Sequence, residues 1–312
     1  MPTFNRRSML ARVLEPLLRD PDALEIVVVV DGCRDGSFEL LESMLARESQ
    51  LRPLWVENGG MGEARMAGAR AARGEIVLLL DDDVLLAPGA IGGHSRRHAA
   101  AEHLVVVGAM PVSGGPQRDG MDYPRALYAK EYRHHVARWQ ARPDSVLSTL
   151  WAGHISMPRA DLLALDPPSP LEIARGYHSD VDFGLRCLHA GMRGVYDPSL
   201  RAEHLYTRDP AAYVRDARDS GRSLRLLHQA HSNELGPLTE ERLLSPLPAL
   251  ARAVVRMARA RRSVVRLLEM SISILGRLRL YRLQLFAAHL RKCVEQVREI
   301  AEADGASRGS SP

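Results

Sequence analysis

Over the first 110 residues the apolar positions alternate between two periods, as they do where helices are layered on strands. Residues 6–19 place Met9, Leu10, Val13, Leu14, Leu17 and Leu18 on one face of a predicted helix. Ile26-Val27-Val28-Val29-Val30 is a continuous β-branched run, the signature of a parallel strand covered on both faces. It runs into the turn Asp31-Gly32-Cys33-Arg34-Asp35-Gly36-Ser37, and a helix is predicted around 37–47. Trp55-Val56 reads as a shorter strand ending at Asn58-Gly59-Gly60, followed by a helix over about 62–73 that Gly74 closes. Ile76-Val77-Leu78-Leu79-Leu80 is the next buried strand and leads straight into Asp81-Asp82-Asp83; Leu104-Val105-Val106-Val107 is another. The class predicted is α/β. The polar loops at 31–37, 58–62 and 81–83 all leave the carboxyl ends of strands, where open sheets collect ligands, so they should converge on one cleft.

Residues 111–204 are less regular. They predict a helix near 123–141, a strand near 148–156, a Pro-rich turn at 166–170, a helix near 180–190 and a strand near 193–196 that leads to His204. From about 209 the pattern is almost entirely helical, with a proline break at 246–248, and residues 305–312 have the composition of a disordered tail. The expected organisation is a domain over 1–206, a helical extension over 207–304 and the tail. Pro2-Thr3-Phe4-Asn5 reads as the loop after a strand, yet only Met1 precedes it. The expectation is either a sheet without that strand or a true start upstream.

Composition sharpens this picture in two places. At 312 residues, 46% hydrophobic and 26% charged, the chain is an ordinary globular one. Its net charge of +4 is unevenly spread: residues 1–204 hold 23 basic and 27 acidic side chains, and residues 205–312 hold 19 and 11. A basic C-terminal third calls for an anionic neighbour, whether phospholipid headgroups, nucleic acid or an acidic partner. Cys33, Cys187 and Cys293 lie far apart with no zinc-type spacing, which predicts reduced thiols in a cytosolic protein. The start MPTFNRRSML lacks the apolar core of a signal peptide, and arginines interrupt every stretch approaching the roughly 20 apolar residues a span requires.

The candidate chemistry lies in four clusters. Three successive carboxylates at the end of an apolar strand demand a counter-charge, and a hard divalent cation bridging two phosphates supplies it. Along extended chain Asp81 and Asp83 point the same way, one toward a sugar or ribose and the other toward the metal. The same triplet also reads as a solvated acidic turn. Asp31 is placed to accept from a base N–H or a ribose hydroxyl, whereas Asp35 with Ser37 reads as an Asx-turn and helix cap. Asn58-Gly59-Gly60-Met61-Gly62 permits close backbone approach, and Arg65 one turn later could reach a nucleobase or a diphosphate. In Gly176-Tyr177-His178-Ser179-Asp180-Val181-Asp182-Phe183 one acid is a candidate general base; both also read as first-turn helix caps. His204 is a candidate metal ligand through its neutral imidazole, and a lone histidine equally reads as structural.

In order, these pieces resemble the inverting family 2 glycosyltransferases. The series runs Pro2-Thr3-Phe4-Asn5-Arg6, Val29-Val30-Asp31-Gly32 with Asp35-Gly36-Ser37, and Asn58-Gly59-Gly60 with Ala64-Arg65 and Ala67-Gly68. It continues through Ala72-Arg73-Gly74-Glu75 to Leu80-Asp81-Asp82-Asp83, then Asp180-Val181-Asp182 with Leu185-Arg186 and Ala190-Gly191, and closes at His204. The resemblance covers roughly residues 1–206. It implies the GT-A fold, Rossmann-like, with a mostly parallel sheet flanked by helices and here a mainly helical C-terminal extension. By that resemblance Pro2, Thr3, Asp31, Asn58, Gly59, Arg65, Asp81 and Asp82 line the donor, and Asp83 and His204 hold Mn²⁺ or Mg²⁺. Asp180 is the base, with Asp182 as the alternative, and Trp151, Gly153 and His154 touch the donor sugar or the acceptor.

The activity so implied is metal-dependent transfer of a sugar, with inversion, from a UDP-, GDP- or dTDP-sugar to a hydroxyl on a lipid-linked or glycan acceptor. No nucleic acid takes part. Three departures from the family stand out: no apolar strand precedes Pro2-Thr3, Ser179-Asp180 replaces the usual Glu-Asp, and Val30 replaces the first acid of an Asp-Asp-Gly-Ser turn. Rival readings are an inactive nucleotide-sugar-binding scaffold and a nucleotidyltransferase of related fold. The latter lacks an activating lysine, since Lys130 and Lys292 are the only two lysines in the chain. Arg252, Arg256, Arg259, Arg262 and Arg266 recur at helical spacing among Val254, Val255, Leu267 and Leu268. They predict either a solvated basic face or a segment lying on an anionic membrane, which would make the protein cytoplasmic and peripheral to the inner face of the membrane. Oligomerisation through these helices is a third option.

Overall fold

Helix α1 (Arg7–Leu18) forms where apolar residues recur at helical spacing, and its Leu10, Val13, Leu14 and Leu17 are all buried. They pack under the strands β2 (Ile26–Asp31) and β4 (Ile76–Leu80) in one core with Val28, Val30, Leu80 and Val84. The computed structural model describes residues 1–112, 120–169 and 177–309, of which 302–309 by backbone alone. The chain divides into two compact units. One comprises Met1–Ser113, Tyr132–Arg175 and Ser179–Tyr206; the other comprises Gly114–Glu131, Gly176–His178 and Thr207–Pro312. The helical unit thus takes in two segments that lie within 1–206 in sequence.

The first unit is a sheet structure in two hydrogen-bonded sets. β1 (Pro2–Thr3), β2 and β3 (Leu51–Val56) are parallel and adjacent, in that order. The second set has the order β4, β7 (His154–Pro158), β6 (Leu104–Ala109), β8 (Arg193–His204), β5 (Val84–Leu86). Here β6 and β8 are parallel, while β7 runs antiparallel to β4 and β6, and β5 antiparallel to β8. Pro2 and Thr3 do form a strand, two residues long, against Val29 and Val30. The terminal nitrogen of Met1 donates to the Val27 carbonyl at 2.9 Å. A cavity of about 710 Å³ is lined by Met1, Ile26 and Val27 together with Ile76, Val77 and Leu78.

The predicted strand near 148–156 forms five or six residues later. Leu147–Thr149 is a 3₁₀ turn and extended chain begins at His154. Trp139 explains the shift: it is 1% exposed, and its indole N–H donates to the Thr149 hydroxyl at 3.0 Å, which fixes the turn beneath it. Helix α4 (Ala90–Ala99) has no apolar stripe to announce it, because the positions it buries are Ala90, Gly92, Gly93 and His94. β8 is 12 residues long, against the four predicted. Of the Pro-rich turn, residue 170 lies outside the described residues.

The second unit is helical. Its helices Pro210–Ala230, Glu240–Leu244, Ala249–Ala260, Arg262–Arg277 and Tyr281–Gly309 enclose Tyr213, Leu244, Val255, Leu268, Ile272 and Val294. Asp209 caps the first through the Ala212 amide at 2.7 Å, and Thr239 caps the second through the Arg242 amide. The final helix continues to Gly309, into the stretch whose composition is that of a tail, and 310–312 lie outside the described residues. All three cysteines are buried, and none is in a disulfide. No helix among the described residues is long and apolar enough to cross a membrane.

Candidate active site

Three strand ends bring the polar loops together, as the apolar runs before them require. Asp31 closes β2 and is 3% exposed; its Oδ1 accepts from the Gly59 amide at 2.8 Å, and its carbonyl accepts from the Asn58 side chain at 2.9 Å. The loop after β3 is therefore tied to the end of β2. Gly32 makes this possible: its φ of +69° suits glycine, and a Cβ there would stand 2.6 Å from the Asn58 nitrogen. Asp35 holds the Ser37 amide and hydroxyl, so it caps helix Ser37–Leu45 and sits apart from the cleft chemistry.

From helix α3 (Gly60–Ala71) the Arg65 guanidinium, 6% exposed, reaches two acids. It donates to Asp81 Oδ1 at 3.1 Å and lies 3.8 Å from Asp180 Oδ1. Asp180 is further oriented by the Ala152 amide, which donates to its Oδ2 at 3.0 Å. The backbone after that amide is engaged too, because the Gly153 carbonyl accepts from the Asp81 amide at 3.1 Å. A Cβ on Gly153 would stand 2.9 Å from both Asp81 Oδ2 and Met110 Sδ, so the close approach depends on glycine. Asp182, the alternative base, is 2% exposed and lies among the buried positions of the helix Ser179–His189. Of the two acids, Asp180 is the one that joins Asp81.

The triplet lies in the turn after β4 and not on extended chain, so its carboxylates do not alternate as expected: Asp81 meets Arg65, while Asp82 and Asp83 both lie near Arg6. Asp82 lies beside Thr3 and Arg6; burial pushes its carboxyl up to about 6, its neighbours Asp83 and Asp81 add to that, and Thr3 and Arg6 oppose it. Asp83 Oδ2 accepts from Arg6 at 3.1 Å, and its Oδ1 is 3.3 Å from His204 Nε2. The pairing of Val84 with His204, and the Leu205 amide donating to the Asp83 carbonyl at 2.8 Å, bring this imidazole to the carboxylate. Neighbouring ligands of an octahedral ion with bonds of about 2.1 Å stand roughly 3 Å apart. The Asp83–His204 spacing thus suits two ligands of one Mg²⁺ or Mn²⁺, with phosphate and water oxygens to complete the set.

Arg6 is absent from the predicted site residues. A lone cation in the loop after Pro2-Thr3 was the available signal, since three adjacent carboxylates need counter-charge. The Ala152 amide could not have been found, because a backbone N–H leaves no trace in residue type. Trp151 is half-buried against Tyr132 and His135, with ring centroids at 5.7 and 5.0 Å. His154 departs from expectation: it is fully buried, and its Nε2 is 2.9 Å from His94 Nε2. It begins β7 pointing into the core against Gly108, so it does not line the cleft. The cluster continues through Ser156, whose hydroxyl is 2.7 Å from both His94 and His98.

Residues 1–153 match the sequence profile of Glycosyl transferase family 2. Among curated proteins, an uncharacterized glycosyltransferase, YfnE, of Bacillus subtilis is 31% identical over 110 residues, which is 35% of this chain and 28% of the relative. Validoxylamine A glucosyltransferase of Streptomyces hygroscopicus is 34% identical over 114 residues, 34% of this chain and 26% of the relative. The matched stretch spans about a quarter of these relatives. Among solved structures, a mannosyltransferase from Pyrobaculum calidifontis in complex with GDP-Man and Mn²⁺ has a TM-score of 0.61 at 18% identity, over 96% of this chain and 85% of that one. TarS 1–349 of S. aureus with UDP-GlcNAc has a TM-score of 0.50 at 15% identity, over 97% and 90%. These likenesses place the chain on the GT-A fold, and residues 1–153 carry the similarity to glycosyltransferase family 2.

Proposed function

We propose that the protein transfers a sugar from a nucleotide-diphosphate sugar to an acceptor hydroxyl with inversion, Asp180 serving as the general base. The observation that carries this reading is Arg65 between Asp81 and Asp180, with the Ala152 amide fixing the second carboxylate. One guanidinium thus sets the spacing between a donor-side acid and an acid free of the interior, which is what an in-line displacement needs. The buried Asp31 offers its carboxylate to a base N–H or ribose hydroxyl at the end of β2. Asp83 and His204 are the ligands proposed for Mn²⁺ or Mg²⁺. Bound there, the ion would act as a Lewis acid toward the leaving diphosphate. The Pyrobaculum mannosyltransferase, solved with GDP-Man and Mn²⁺, supports that pairing of donor class and ion. Asp180 accepts the acceptor's hydroxyl proton as the oxygen attacks the anomeric carbon and the nucleoside diphosphate leaves, and Arg65 and Arg6 are the cations proposed to meet diphosphate oxygens. The intact set argues against an inactive scaffold.

The test is Mn²⁺-dependent release of nucleoside diphosphate from a panel of UDP-, GDP- and dTDP-sugars, without and with candidate acceptors. Asp83→Ala should abolish both reactions. Asp180→Asn should remove transfer, by at least 10³-fold, while nucleotide binding and the circular dichroism spectrum persist. Full transfer by Asp180→Asn would overturn the base assignment.

A further inference from the structure

The helix Arg262–Arg277 is apolar on two faces. One face, Val265, Leu268, Ile272 and Gly276, is buried in the helical unit. The other, Leu267, Met270, Ile274 and the following Leu278, is spaced by three and four residues, so it forms one stripe along the helix, and these side chains are 63, 57, 48 and 62% exposed. The turn into the helix Tyr281–Gly309 continues the stripe with Leu280, Leu283 and Phe286, at 45, 56 and 43% exposed. Single exposed leucines are ordinary; seven along one helical hairpin are a patch that needs a partner.

The charges beside it identify the partner. Arg261, Arg262, Arg266, Arg277, Arg279 and Arg282 are all exposed, and none makes an ion pair among the described residues. The single carboxylate between 261 and 282 is Glu269, already engaged by Arg291 at 2.9 Å. The upstream arginines behave differently. Arg256 and Arg259 both bind Glu240, and Arg252 donates to the Leu247 carbonyl at 2.9 Å. Three of the five arginines in the basic ladder seen in the sequence are therefore committed within the protein, and the uncommitted cations lie on the same helical hairpin as the apolar stripe.

We propose that this hairpin docks on an anionic lipid bilayer, with Leu267, Met270, Ile274, Leu278, Leu280, Leu283 and Phe286 entering the interface and the arginines meeting headgroup phosphates. An apolar stripe with a cationic border is the pattern of a helix lying in the interface plane, and no helix among the described residues is long and apolar enough to cross. A second copy of the chain would cover the apolar stripe but would set the arginines of both copies against one another. The proposal rests on the helical unit alone and stands whether or not the catalytic reading does.

Co-flotation of the full chain with vesicles tests it. Vesicles of phosphatidylcholine with about one-third phosphatidylglycerol should carry the protein, and pure phosphatidylcholine should carry it at least tenfold less. Met270→Asp with Ile274→Asp should reduce flotation at least tenfold; both positions face solvent, so the fold should tolerate them, which circular dichroism checks. Arg277→Glu with Arg279→Glu and Arg282→Glu should remove the preference for anionic lipid. Failure to float, equal binding to both vesicle types, or full binding by the folded aspartate variant would each overturn the proposal. So would a concentration-dependent dimer that the aspartate substitutions dissolve in protein that never floats.

Discussion

Arg65 and Gly153 show how few atoms set the geometry of the cleft. The guanidinium is held by Asp81 at 3.1 Å and faces Asp180, while Gly153 leaves just enough room for Asp81 to approach β7. Gly153→Ala should therefore displace Asp81 by a fraction of an ångström and lower turnover by about 10- to 100-fold, since small misplacements cost rates of that order. The melting temperature should move little, because Met110 can yield. A steady-state assay beside a thermal melt checks both halves, and an unimpaired kcat/KM would show that the contact is incidental. These charged residues of the candidate cleft were legible by position: Asp31 closes β2, the aspartate triplet follows β4, and Arg65 lies one turn into the helix after β3. Arg6 was not, because its value comes from a fold in which the first loop meets the fourth strand. His154 was misplaced because residue type cannot say which face of β7 its side chain takes.

At the scale of elements, helices and strands were readable wherever burial follows a simple period. α1 is the clearest case, and its buried stripe carries a prediction: Leu14→Ala, at a fully buried position, should cost about 2–5 kcal/mol, whereas Arg12→Ala on the exposed face should change stability by less than about 0.5 kcal/mol. Urea unfolding of both variants would decide, and equal midpoints would contradict the packing described. Elements were missed where burial is not apolar or the element is short. α4 buries glycines and His94, β5 has three residues, and β8 contains Pro198 with polar residues between its apolar ones, so neither period emerges.

Across the whole molecule, the buried histidines make stability depend on pH. Burial pushes His94 down to about 3, with His154 and His98 adding to it, and pushes His154 down to about 4. Both folded values lie below the unfolded value of about 6.5, so the unfolded chain takes up protons that the folded chain refuses. Stability from this cluster is complete above pH 6.5 and should fall as the pH drops from there toward 4. The slope approaches about 1.4 kcal/mol per pH unit for each histidine. Denaturant midpoints at pH 7.5 and 5 should differ accordingly, and the difference should shrink in His94→Gln. Identical midpoints would mean that the cluster is hydrated or already protonated.

The strand that carries His204 has a consequence for the order in which the chain folds. Asp83 and His204 are 121 positions apart in the chain, and they meet because the end of β8 pairs with β5 at Val84. The stretch matched by the family profile stops at residue 153, before either Asp180 or His204. A nascent chain of that length would hold Asp31, Arg65 and the aspartate triplet without Asp180, the proposed base, or His204, the proposed second metal ligand. Under the proposed function, competence would arrive late in synthesis, when β8 docks between β6 and β5, and a fragment ending near 190, which lacks that strand, should not turn over a nucleotide sugar.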